Sequence, residues 1–338
     1  MQRMVTLSVL DLSPVVQGSN VSQALKNSAE FARHAERLGY NRFWLAEHHN
    51  MQGIASAATS VVIGHVGAAT STIRIGAGGI MLPNHAPLAI AEQFGTLASL
   101  FPGRVDLGLG RAPGSDQITA RALRRTLVGD VDRFPQDVLE LMGYFRPAEP
   151  GQALIAVPGA GLEVPIWILG SSLFGAQLAA MLGLPFAFAS HFAAEMLEQA
   201  IAIYRARFEP SEHLDKPYVM LGINIVAADT DAQARYLATS AQQSRIAMQM
   251  GRRGPLPPPV DNIDELFAAA GMQPELTGAG RTMIVGSQRS IEQGLAAFIA
   301  KHQPDELIVA SQVYDFGARV RSLEVVAAAR DALNKVAA

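Results

Sequence analysis

Short apolar runs recur along the chain, and each ends abruptly in a polar or glycine-rich cluster. The runs at 4–10, 42–46, 73–78 and 104–109 read as strands, as do those at 165–169, 186–190, 218–226 and 306–310. Between most of them the apolar positions change to helical spacing. In the first such stretch Val21, Ala24, Leu25, Phe31, Ala32, Ala35 and Leu38 repeat at that spacing. Asn20 stands there as N-cap and Gly39 where a helix end tolerates positive φ. Pro87 suits the first turn of a helix over 88–100. Strand–helix alternation predicts a parallel sheet, and eight strands predict an α/β fold closed into a (β/α)8 TIM barrel.

Two regions break this rhythm. The first, about 112–161, holds a helix over 135–144 and a Pro/Gly-rich stretch, and reads as a loop excursion after strand four. The second, 240–280, contains GRRGPLPPPVDN and follows strand seven. That places it at the active-site end of a barrel, where long insertions serve as lids, so a mobile lid is expected. The apolar segment 282–285 resembles a ninth strand and is assigned to the same excursion. The chain, 1–338, is expected to be one domain.

Composition narrows the function classes. With 49% hydrophobic and 17% charged residues, the 338-residue chain can bury one large core and does not read as disordered. A net charge of -3 with scattered basic residues gives no footprint for nucleic acid or an acidic membrane. The absence of cysteine excludes thiolate nucleophiles and Cys-based metal sites. The N-terminus is too short and β-branched for a signal peptide, and no apolar span reaches the ~18 residues of a membrane helix. The expected location is cytoplasmic.

Polar chemistry collects at the strand ends. In Glu47-His48-His49 neighbouring side chains alternate faces, so His48 points opposite to Glu47 and His49. A metal could draw on His48, His49, His85 and His191, although no tight metal-ligand spacing occurs; structural hydrogen bonding is the plainer reading. Gly78-Gly79 lets a flat ligand approach the main chain, or forms a simple bulge. Arg111 suits a phosphate or carboxylate. The preceding Gly108-Leu109-Gly110 lacks the third glycine and following helix of a dinucleotide fingerprint, which excludes a Rossmann reading. Gly170-Ser171-Ser172 opens a helix and is either an ordinary cap or an anion cradle. Asp11, Ser13 and His191 stand at the ends of strands one and six, within reach of a substrate. Met81, Leu82 and Phe192 give the mouth an apolar component.

The segments LAEHHN, GAGGIMLPNHAP, FPGRVDLGLGRAPGS and ILGSSLFGAQLAAMLGLPFAFASHF occur in that order. Together they make the chain resemble, nearly end to end, the luciferase-like flavin-dependent monooxygenases, the group of bacterial luciferase and the alkanesulfonate monooxygenases. The resemblance implies a TIM barrel with a mobile insertion after strand seven. It implies reduced FMN, delivered by a separate reductase, as cosubstrate with O2 in the oxygenation of a small organic molecule. It implies His48 as the catalytic histidine and Gly78–Gly79 as a non-proline cis peptide under the flavin. It also implies Arg111, with Gly170, Ser171 and Ser172, around the FMN phosphate, and a homodimer. Two departures from luciferase, Gly110 for a reactive cysteine and Ser171 for an acidic residue, leave the flavin site intact and argue against luciferase's own substrate. F420-dependent hydride transfer on the same fold, a non-catalytic flavin-binding barrel, and a metal-dependent hydrolase are the alternatives.

Overall fold

A computed structural model describes residues 5–111, 117–123, 133–272 and 282–337. Its strands are β1 (Thr6–Asp11), β2 (Arg42–Leu45), β3 (Arg74–Met81), β4 (Val105–Gly110), β5 (Ile166–Gly170), β6 (Phe186–Phe188), β7 (Val219–Ala227), β8 (Met283–Gly286) and β9 (Glu306–Ala310). The helices are α1 (Val21–Arg37), α2 (Thr59–Ala69), α3 (Pro87–Leu100), α4 (Gln117–Leu123), α5 (Phe134–Phe145) and α6 (Leu173–Met181). They continue as α7 (Leu197–Arg207), α8 (Asp231–Gln249), α9 (Ile263–Ala269), α10 (Gln288–His302) and α11 (Phe316–Ala337). All strand pairings are parallel, and the order β1-β2-β3-β4-β5-β6-β7-β9 closes on itself through β9–β1. This is the TIM barrel predicted from the alternation, with β5 across the ring from β1.

The local signals act as read. Asn20 accepts from the Gln23 N–H at 3.0 Å to cap α1, Gly39 leaves α1 with φ +71°, and Pro87 opens α3. Two readings need correction. Residue 240 does not begin an excursion: α8 runs through it to Gln249, started by Thr230 accepting from Gln233 N–H at 3.2 Å. Residues 273–280 of the presumed insertion lie outside the described residues. The segment at 282–285 is a strand after all. β7 is longer than the ring needs, and its overhanging half, Asn224–Ala227, pairs with β8. Thr282 N–H donates to Ser190 O at 2.9 Å, so β8 takes over where β6 stops.

Strand alternation sorts the side chains. On β1, Leu7 and Val9 pack outward on the helices, while Leu10 joins a separate cluster inside the barrel with Trp44, Trp167, Met220 and Ile308. Below this cluster lies a buried ionic floor. Arg42 binds Asp106 at 2.7 Å and Glu306 at 3.1 Å, and Arg74 binds Asp106 at 2.6 Å. Both carboxylates are fully buried, and Trp44 Nε1 and Tyr218 Oη donate to Asp106 and Glu306 at 3.2 and 3.0 Å. Because every carboxylate there meets a cation and further donors, the layer plugs one end of the barrel without an unpaired charge.

The other end is hollow, and the sequence shows why. Inward positions of a TIM barrel are ordinarily filled by branched side chains. Here β3 and β4 present glycine instead. A Cβ on Gly78 would lie 2.8 Å from the Trp44 ring, one on Gly79 2.7 Å from Gly108 O, and one on Gly110 2.9 Å from Met81 Sδ. With no side chains at these places, space remains above Trp44.

Candidate active site

That space is a cavity of about 940 Å³ at the C-terminal ends of the strands. The floor is apolar, with Leu10, Trp44, Leu169 and Ile308, and the glycines of β3 form one wall. His48, Gly78, Gly79, Arg111, the 170–172 segment and His191 all line it. Asp11 and Ser13 do not. Asp11 shares the outward parity of Val9 and binds Arg319 of α11 at 2.7 Å, both groups being buried. Ser13 is buried beside α1, where Ser28 Oγ donates to its hydroxyl at 2.8 Å. Met81 and Phe192 reach the cavity, but Leu82 packs into the outer core.

The histidine pair separates as alternation requires. Arg42, Trp44 and Ala46 point into the barrel and His48 continues that row into the cavity. Glu47 turns the other way and is 1% exposed. Its carboxylate contacts His49 Nε2 at 2.7 Å and His85 Nε2 at 2.9 Å, and accepts from Met81 N–H at 2.9 Å and Asn84 Nδ2 at 3.2 Å. Burial alone would raise the Glu47 pKa. The hydrogen bonds and charge of His85, with hydrogen bonds from His49 and the Met81 N–H, instead hold it below the usual carboxylate value. His49 and His85 are thus committed to Glu47. Among the described residues no group of three or more His, Asp or Glu is disposed to hold a metal ion.

His48 sits under different forces. Burial, the largest influence, pushes its pKa below the ordinary 6.5, against an opposing pull from the Ala46 carbonyl and Glu47. Its Nδ1 is buried and has no hydrogen-bond partner among the described residues. A neutral imidazole with an uncommitted nitrogen, facing a cavity, can take up a proton near pH 7.

Glu47 N–H also donates to Gly79 O at 3.1 Å, which ties the His48 segment to the β3 turn. There the Gly78–Gly79 bond is cis, and the β3–β4 register slips between Gly78 and Ile80. Across the cavity, the Arg111 guanidinium carbon stacks 4.2 Å from the Phe174 ring centroid. Phe174 belongs to the first turn of α6, so the cation and the helix start meet. Ser172 is the α6 N-cap in extended conformation, yet its side chain makes no capping hydrogen bond. The first-turn N–H groups are therefore left for solvent or an anion. Gly170 and Gly175 permit this arrangement, because a Cβ on either would approach the other's Cα within 3.3 Å.

His191 occupies the β6–β7 side. A Cβ on Gly222 would fall 2.1 Å from its Nδ1, so the imidazole lies over that glycine. Ser190 Oγ donates to Gly222 O at 2.6 Å, and Asn224 Nδ2 donates to His191 O. The cover comes from α8 and the chain that follows it. Gln17 N–H donates to Leu256 O and Leu256 N–H to Val15 O, both at 2.8 Å, pinning this chain over β1. Sequence reasoning missed Trp44, Phe174, Asn224, Gln242, Arg245 and Arg252 as cavity residues. Trp44 could have been found from its parity with His48, and Gln242 and Arg245 from helical spacing.

The fold and cavity define a class: a (β/α)8 barrel whose strand ends assemble an arginine at a helix start, a glycine wall and an imidazole. The family model for luciferase-like monooxygenases matches residues 5–307, and the chain belongs to that family. A luciferase-like monooxygenase of Escherichia coli (strain K12) is 51% identical over 95% of this chain and 96% of its own. The N-acetyl-S-alkylcysteine monooxygenase of Bacillus subtilis (strain 168) is 34% identical over 74% of this chain and 76% of its own. Among solved structures, apo-MsnO8 aligns with TM-score 0.88 and 33% identity, covering 97% of this chain and 98% of that one. Two more distant barrels share the fold. The FMN complex of the oxygenating constituent of 3,6-diketocamphane monooxygenase, from the CAM plasmid of Pseudomonas putida, has TM-score 0.73 and 16% identity, covering 96% and 97% of the two chains. An F420-dependent secondary alcohol dehydrogenase has TM-score 0.70 and 15% identity, covering 97% and 99%.

Proposed function

We propose that the protein is a flavin-dependent monooxygenase that uses reduced FMN and O2 to place one oxygen atom in a small organic substrate. The observation that carries this reading is the convergence of Arg111, stacked on Phe174, with the uncapped start of α6 in the cavity that His48 enters. The residues present fit the cofactor. Arg111 and the α6 amides would hold a phosphate dianion. The side-chain-free face of Gly78 and Gly79 would admit a planar ring that a Cβ there would obstruct. When bound, reduced FMN would supply the electrons that activate O2, the second oxygen atom leaving as water.

The remaining work falls to the chain. His48 accepts and returns a proton, with Nδ1 as the uncommitted atom. The apolar floor holds the substrate body, and α8 with the chain to Leu256 is a lid that keeps water from the reaction. Family membership, and a relative named for oxygenating an N-acetyl-S-alkylcysteine, support oxygenase chemistry. A separate flavin reductase and assembly as a cytoplasmic homodimer complete the reading.

Calorimetric titration with FMN, followed by turnover of chemically reduced FMN under O2, tests it. Arg111→Ala should weaken FMN binding, and His48→Ala should keep binding while losing oxygenated product. Tighter binding of F420, with hydride transfer and no O2 consumption, would transfer the site to the deazaflavin alternative that one structural neighbour uses. Peroxide as the only product with every substrate tried would leave a flavin-binding barrel without oxygenase activity.

A further inference from the structure

A row of residues four apart along α8, Ala234, Ala238, Gln242 and Ile246, is buried throughout, and Gln242 is its polar member. Ala234 and Ala238 pack with Leu237, Val226 and Val313 in a small core of their own. One turn beyond Ala238 the row reaches the cavity, and Gln242, only 8% exposed, is part of the lining. Val226 and Met283, which belong to or pack on the same small core, also face that cavity. The glutamine therefore stands at the point where an apolar helix face turns into a ligand wall.

Its amide is not occupied in holding the cover together. The side chains beside it are. Thr239 Oγ1 donates to Tyr236 O at 2.6 Å and accepts from Val260 N–H at 2.9 Å, while Gln243 Nε2 donates to Pro258 O at 2.7 Å. Gln242 Oε1, by contrast, is buried and has no hydrogen-bond partner among the described residues. A buried carbonyl oxygen without a donor destabilises the free protein, and an apolar side chain of the same length would not. The apolar surroundings also strengthen any hydrogen bond completed there.

We propose that Gln242 Oε1 accepts a hydrogen bond from the organic substrate, which therefore carries an N–H or O–H group on an apolar body. The donor meets the α8 wall at Gln242, and the apolar part beside it lies against Val226 and Met283. Gln242 selects the substrate by that donor. The inference rests on the oxygenase reading only in calling the ligand a substrate; the binding preference needs no flavin.

The test uses the full chain without cofactor and two isomers, hexan-1-ol and methyl pentyl ether, of which only the alcohol has a donor. Hexanamide and N,N-dimethylhexanamide make a second pair. Calorimetry should show the donor-bearing member of each pair binding about tenfold tighter. An apolar cavity without such an acceptor would favour the ether, which loses less hydration on entering. The preference should vanish in Gln242→Met, which keeps the length of the side chain and removes the oxygen. Without ligand, the thermal midpoint of Gln242→Met should equal or exceed that of the wild type, because no contact is lost. A structural glutamine would lower it. Equal affinities within both pairs, a measurement that needs no variant to fold, would overturn the proposal. So would a preference that survives in Gln242→Met, or a midpoint well below the wild type. A parallel FMN titration separates the two readings. Absent FMN binding with an intact donor preference refutes the flavin reading alone, and intact FMN binding with no donor preference refutes the Gln242 assignment alone.

Discussion

Replacing Glu47 by glutamine probes the joint between the His48 segment and the glycine turn of β3. The wild-type carboxylate is buried and engaged by two imidazoles, one main-chain N–H and one amide. Glutamine keeps one acceptor oxygen, enough for Met81 N–H, but presents an NH2 group to a histidine and removes the charge. Hydrogen bonds to a charged group contribute about 1.5–3 kcal/mol and neutral ones about 1 kcal/mol. His49 and His85 are 17% and 28% exposed, which weakens their share by solvent screening. A loss of about 2–3 kcal/mol follows, whereas Glu47→Ala should lose about 3–5 kcal/mol because the partners stay unpaired. The effect must depend on pH. A depressed folded-state pKa means that the carboxylate stabilises the fold above its unfolded value of about 4.3. That contribution is lost as pH falls through the lower folded value. Urea unfolding followed by the fluorescence of Trp44 and Trp167 should therefore show a gap between wild type and Glu47→Gln near neutrality that narrows in acid. An unchanged midpoint, or a gap independent of pH, would refute the assignment of Glu47 as an ionised clamp.

Other outcomes follow from the same geometry. His48 is held below its ordinary pKa of 6.5, so it is already deprotonated at neutral pH and the acidic limb of kcat/KM should fall below pH 6.5; a limb above that value would contradict a buried base. Arg319→Met should cost about 3–5 kcal/mol in thermal or urea unfolding, because buried Asp11 loses its partner, and should leave FMN affinity unchanged. An unchanged unfolding midpoint would refute the buried Asp11–Arg319 pair as a stabilising contact. Gly222→Ala must move the His191 ring, since the new Cβ would start 2.1 Å from Nδ1; a crystal structure of the variant should show the imidazole displaced, with a stability cost of about 1–3 kcal/mol.

The barrel was legible because its strands and helices have different periods and because caps such as Asn20 and Pro87 act locally. The cavity lining was legible where polar clusters end strands, as at His48, Gly78-Gly79 and Arg111. Parity was harder. β1 alternates at first, Ser8 inward and Leu7 and Val9 outward. At its end apolar Leu10 faces inward and charged Asp11 outward against α11, so polarity alone points Asp11 to the wrong side. β8 was hidden because four residues become a strand only when the overhanging end of β7 offers them an edge. The cover was misread for a related reason: the proline-rich run 255–259 dominates the composition, while α8 upstream continues regularly to Gln249. Phe174 gave no signal at all, because its role depends on Arg111 arriving from another strand.

The central claim is that one cavity joins a guanidinium, a helix start, a glycine wall and an imidazole into a flavin site. A crystal structure with FMN bound is the most direct measurement. The account predicts the phosphate within hydrogen-bond distance of Arg111 and the first-turn amides of α6, with the ring against Gly78-Gly79 and facing His48. A phosphate bound instead by Arg245 or Arg252, or a flavin outside this cavity, would contradict it.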